Sequence, residues 1–88
     1  SSTQILLIEV PPSRGNQALH EASQKFNTEL SRRCAARPRC QLIELSELAA
    51  PEGWLQPQYA SSDGVHLSPA GYRILSSVLI QALHDSEQ

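Results

Sequence analysis

An aspartate and a histidine three residues apart, Asp63 and His66, flank Gly64 in the stretch Ser62-Asp63-Gly64-Val65-His66-Leu67-Ser68-Pro69-Ala70-Gly71-Tyr72. Glycine adopts backbone angles that other residues resist, so the chain can double back here. The carboxylate can then accept a hydrogen bond from Nδ1–H of the imidazole. That bond fixes the ring tautomer and leaves Nε2 able to take a proton from a nucleophile. It also stabilises the imidazolium that forms. Spacing alone also suits a surface ion pair or a cap on a following helix. A metal site would need a third ligand, and none is at hand. His20 and His84 fall in helical stretches with polar flanks and read as surface histidines.

The elements that must position this pair are legible in outline. Ile5-Leu6-Leu7-Ile8-Glu9-Val10 is an almost continuous apolar run, as in a parallel strand buried on both faces. Pro11-Pro12 ends it, because proline donates nothing to a ladder. Ser13-Arg14-Gly15-Asn16 is turn material. Leu19, Ala22, Phe26 and Leu30 recur at helical steps and predict a helix over 17–35. Its polar face carries Glu21, Gln24, Lys25, Glu29 and Arg32, with Glu21–Lys25 a favourable pair. Pro38 prevents continuation. Gln41-Leu42-Ile43-Glu44-Leu45 predicts a second strand, completing a βαβ unit with a right-handed crossover. Residues 46–62 read mostly as loop, long enough to suggest a functional one. Ser68 as cap and Pro69 at the first position open a helix running to about His84. Tyr72, Leu75, Leu79, Ala82 and Leu83 make its apolar face, widened by Ile74 and Val78.

Composition bounds the rest. Of 88 residues, 40% are hydrophobic and 18% charged, which suits a globular chain rather than a disordered one. Residues 1–43 carry six basic and three acidic side chains; residues 44–88 carry one and six. Arg32, Arg33, Arg37 and Arg39 could contact phosphates. Lacking an aromatic platform, they read instead as a solvated helix end, and no nucleic-acid partner is expected. No apolar run approaches the ~20 residues of a membrane span. Cys34 and Cys40 could close a short disulfide loop, which would suit a secreted or periplasmic protein; two free thiols would suit the cytoplasm. Two strands cannot close an α/β core, so more strands are expected from an upstream segment or a partner. The absence of an initiator Met, with a strand reached almost at once, fits that expectation.

Asp63-Gly64-Val65-His66-Leu67-Ser68-Pro69-Ala70-Gly71-Tyr72 resembles the Asp-x-x-His block of the SGNH (GDSL-type) hydrolases, including its continuation into the last helix. Ile5 to Pro12 is similar to the family's strand before a proline-containing loop. Phe26-Asn27-Thr28-Glu29-Leu30 is similar to the helix after it, and Leu42-Ile43-Glu44-Leu45 to the strand leading to the catalytic loop. The resemblance implies an α/β fold: residues 1–88 would be one segment, the C-terminal part of a three-layer α/β/α flavodoxin-like domain with parallel strands. It implies Asp63 and His66 as acid and base of a serine-dependent hydrolase acting on a small ester or thioester, with no cofactor. The family's Gly-Asp-Ser nucleophile block and its oxyanion-hole glycine and asparagine have no counterpart here. Ser13, Ser61 and Ser62 lack that context, and Asn16 lacks the Gly-x-Asn-Asp pattern. The upstream part of the domain, in the same chain or as a separate one, is therefore the expected partner, and the segment alone should be inactive.

Trp54 and Tyr59 precede the Asp–His turn, where they could line an acyl pocket or simply pack the long loop. A binding or assembly module that kept the fold and lost the nucleophile is the alternative. A phosphate-binding βαβ unit would need a glycine-rich turn where Pro11-Pro12 stands.

Overall fold

The structure, a computed structural model, describes residues 3–87. Strand β1 (Ile5–Ile8) pairs in parallel with β2 (Cys40–Ile43), Ile5 opposite Cys40 and Ile8 opposite Ile43. Helix α1 (Gln17–Ala35) connects them, and helix α2 (Pro69–Ser86) closes the chain. This is a small α/β unit with a two-stranded parallel sheet.

Both strands end earlier than their apolar runs, because side chains take over from the ladder. Glu9 N–H still reaches the Ile43 carbonyl at 3.1 Å. One residue on, Asn27 of α1 receives the Val10 N–H on Oδ1 (2.8 Å) and donates Nδ2 to the Val10 carbonyl (3.0 Å). The Leu45 N–H likewise turns to the Glu9 carboxylate at 2.8 Å.

Helix α1 has the expected bounds. Asn16 is its cap, accepting from Leu19 N–H at 2.9 Å. Its buried face differs from the apolar periodicity. His20, Ser23 and Cys34 are buried, whereas Ala22 is exposed and Phe26 is 54% exposed. Side-chain partners select this stripe: Asn27 holds Val10 from far along the chain, and Cys34 is bonded to Cys40 across a short loop. His20 is not a surface histidine; its ring stacks on Trp54, centroids 3.9 Å apart and planes 8° from parallel. The exposed face pairs Glu29 with both Arg32 and Arg33, holding the Glu29 carboxyl down to about 2. Glu21 accepts from Gln17 at 2.6 Å.

The segment read as loop is organised. Short 3-10 turns occupy Ser46–Leu48 and Pro57–Tyr59, and isolated antiparallel bridges join Ala49 to Leu55 and Ala60 to Leu67. The hydrophobic core lies under this segment: Leu45, Leu48, Leu55 and Leu67 are buried, with Tyr59, Ile74, Leu75 and Val78 packed around them. Burial of each such leucine contributes about 1.5–3 kcal/mol. Tyr59 packs against this core, and Trp54 stacks on His20 of α1. Ile74, Leu75, Val78 and Ala82 face inward on α2, while Tyr72, Ile80 and Leu83 stay about half exposed or more. No helix among the described residues is long and apolar enough to cross a membrane.

Cys34 and Cys40 form a disulfide, their Cα atoms 5.3 Å apart. It ties the last turn of α1 to the first residue of β2, and it fits a secreted or periplasmic, oxidising setting. Closing so short a loop restricts the unfolded chain by about 2 kcal/mol. Replacing both cysteines by serine in the intact protein should lower unfolding stability by that amount, read from urea midpoints. An unchanged midpoint would show that the bond contributes nothing to the fold.

Candidate active site

The turn that carries Asp63 and His66 is tied at both ends. Ala60 bridges Leu67, Ser61 N–H donates to the His66 carbonyl (3.0 Å), and Gly64 N–H donates to the Ser61 carbonyl (3.1 Å). Beyond it, Ser68 N–H donates to the Tyr59 carbonyl at 2.9 Å, and the Ser68 hydroxyl to the Gln58 carbonyl at 2.9 Å. The same hydroxyl accepts from Gly71 N–H at 3.1 Å, capping α2. Reversal occurs at Gly64, with φ +73°.

A second anchor comes from the segment after β1. Arg14 N–H donates to the Gly64 carbonyl at 2.8 Å, and its guanidinium donates to the Leu55 carbonyl at 2.8 Å. Leu55 N–H donates back to the Ser13 carbonyl at 3.0 Å. The carboxyl end of β1 thus leads to a strap against the Asp–His turn, on the side of the sheet where open α/β folds hold their ligands.

Within the turn, Asp63 Oδ2 lies 2.6 Å from His66 Nδ1. Oδ1 accepts from three donors: the Ser61 hydroxyl (2.7 Å), Val65 N–H (2.8 Å) and His66 N–H (2.9 Å). The His66 amide, then the Ser61 hydroxyl, the His66 ring and the Val65 amide hold the Asp63 carboxyl well below the usual carboxylate range. The sign follows from that direction. The turn's contribution from this group is fully present above the ordinary aspartate value of about 3.9, and it is lost only as pH falls through the lower folded-state value. Both side chains are open to solvent, His66 at 71% and Asp63 at 50% exposure. No hydrogen bond to His66 Nε2 is formed among the described residues.

Of the other candidate residues, Asn16 and Ser13 lie elsewhere. Asn16 caps α1. Ser13 is buried, and its hydroxyl has no hydrogen-bond partner among the described residues. It borders a cavity of about 100 Å³ between α1 and the strand ends, beside Glu9 and His20, and neither Asp63 nor His66 lines that cavity. Ser62 stays beside the pair: it borders a shallow groove that Asp63 and Gly64 also line, with Arg14, Gly15 and Pro57. No group of three or more His, Cys, Asp or Glu among the described residues could hold a metal ion. For two residues, Ser61 and Arg14, the sequence reading did not see their place in holding the site. Ser61 stands two positions before the aspartate, a local signal that was there to be used. Arg14 lies far upstream and carries no local signal.

No family model matches this chain, and neither a curated protein nor a solved structure matches it.

Proposed function

We propose that this chain supplies the general base and its orienting carboxylate to a serine-dependent hydrolase of the SGNH type, acting on an ester or thioester. One observation carries the reading: His66 Nδ1 is bound to Asp63 at 2.6 Å, which leaves Nε2 as the ring's proton acceptor. In the completed site a serine hydroxyl from the upstream part attacks the substrate carbonyl. His66 Nε2 takes the serine proton and passes it to the leaving group. The acyl-serine is then hydrolysed by a water whose proton returns through the same nitrogen. Asp63 stays ionised throughout, holding the ring and stabilising the imidazolium.

The upstream part adds parallel strands at the free edge of β1, making a three-layer flavodoxin-like domain. Ile5 and Glu9 N–H face β2, so by alternation Leu6 and Ile8 direct their backbone groups outward. Ile8 at the end of β1 and Val10 just beyond it are 41% and 37% exposed, as befits a face awaiting cover. A strand docked there would deliver its carboxyl end beside the Asp63 turn. A second reading is a module that binds without turnover. It is favoured by the absence of any hydrogen-bonded nucleophile at Nε2 among the described residues.

The test is hydrolysis of a short-chain aryl ester by the chain alone, by the chain completed with a Gly-Asp-Ser-bearing upstream part, and by that assembly carrying His66→Ala. We expect no activity, then activity, then a loss of several orders of magnitude. Clear turnover by the 88 residues alone would overturn the requirement for an upstream part. Unchanged turnover with His66→Ala would overturn the assigned base, and an inert assembly would favour the binding module.

A further inference from the structure

We infer that Ser61 is a positioning residue for the Asp63–His66 pair, an inference that rests on the catalytic reading above. Ser61 acts on the carboxylate oxygen that the ring does not use. Its hydroxyl donates to Oδ1 at 2.7 Å, while Oδ2 is left to His66 Nδ1 at 2.6 Å. Its backbone is engaged as well, its N–H on the His66 carbonyl and its carbonyl on Gly64 N–H. The side chain is therefore held in a closed ring that begins at Ser61 and ends at His66. With the hydroxyl committed to Asp63, Ser61 is not the nucleophile.

The division of the two oxygens carries the argument. Oδ1 takes three donors and Oδ2 takes one. The two amide donors come from Val65 and His66, on the downstream side of the turn. Among the described residues, Ser61 is the only donor to Asp63 from the upstream side. Together they fix the carboxylate plane so that Oδ2 stays directed at Nδ1. Without Ser61 the plane is held from one side and can swing about its last torsion, a broad one in aspartate. The Nδ1–H tautomer then loses its preferred acceptor, and the ring can carry its proton on Nε2. Arg14, a cation beside Asp63 in the groove, directs its hydrogen bonds to Gly64 and Leu55 and cannot take over this role.

The experiment compares Ser61→Ala with Ser61→Thr in the intact protein. Imidazole 15N shifts of His66 give the tautomer ratio at a pH where the ring is neutral, and kcat and KM are measured on an aryl ester in the completed enzyme. In Ser61→Ala the neutral ring should pass from the Nδ1–H form to a mixture. kcat should fall about tenfold with KM unchanged, the scale of one lost hydrogen bond to a charged group. Ser61→Thr, which keeps the hydroxyl, should restore both. A merely structural serine would lower the unfolding midpoint and leave the tautomer as it was; that result would overturn the inference, as would a shifted tautomer in Ser61→Thr. The 15N measurement needs no nucleophile, so it reads Ser61 even if the His66→Ala assay overturns the catalytic reading.

Discussion

Asp63→Asn is expected to lower turnover of the completed enzyme about 10⁴-fold while leaving the fold intact. The reason lies in how the carboxylate is shared. Oδ1 is surrounded by three donors, so an amide at position 63 must keep its oxygen there, facing Ser61, Val65 N–H and His66 N–H. Its NH2 group then replaces Oδ2 and faces His66 Nδ1. Two donors cannot share that contact, so Nδ1 must become the acceptor and the ring proton must move to Nε2. A ring protonated at Nε2 cannot accept the proton of a serine. Asp63→Ala would remove the ring's partner altogether, and it would leave the Val65 and His66 amides without their acceptor. The asparagine variant therefore separates tautomer from stability. Steady-state kinetics and an unfolding curve together check it. An Asp63→Asn enzyme that keeps a tenth or more of its turnover would rule out the proton relay proposed for this pair.

Gly64→Ala should be the most damaging small change in the turn. Gly64 has φ +73°, where a Cβ costs about 1–2 kcal/mol. It also sits against the strap: an added Cβ would lie 2.5 Å from the Arg14 carbonyl oxygen and 3.2 Å from the Arg14 carbonyl carbon. Those are backbone atoms and cannot swing aside. The strap must retreat, and the hydrogen bond from Arg14 N–H to the Gly64 carbonyl goes with it. Overpacking of this kind adds about 1–3 kcal/mol. Gly15 is the internal control, with a similar φ of +78° and nothing within 4 Å of its added Cβ. Gly15→Ala should therefore show the conformational cost alone. The difference between the two variants in denaturant midpoint isolates the clash. Equal losses would mean that the strap does not press on the turn. Turnover should follow the same order, because the strap and the ring pair share Gly64.

Several features were legible because they are local. The bounds of α1 follow from turn residues before it and a proline after it, and α2 opens on Ser68-Pro69 as expected. The Asp63–His66 contact is also local. Three residues separate the partners, and a glycine supplies the reversal, so backbone geometry and spacing suffice. Parallel pairing of β1 and β2 followed from their apolar runs and the helix between them.

Helix α1 has one face with Ala22 and Phe26 and another with His20 and Ser23. Hydrophobic periodicity favours the first. The folded chain buries the second, because Trp54 and Val10 each hold a residue on it from a distance. The core under residues 46–62 is illegible in the sequence for the same reason. Leu48 and Leu55 sit in a stretch rich in turn residues, and only the approach of α2 and Leu67 makes that stretch an interior. What the sequence determined by itself was the contact within one turn: which carboxylate, which ring and which reversal. What the tertiary structure decided was how that turn is held, by a strap from the end of β1 and by the capped start of α2. A turn's hydrogen bonds close within a few residues and can be read from spacing. A strap from far upstream depends on chain closure, which no local pattern encodes.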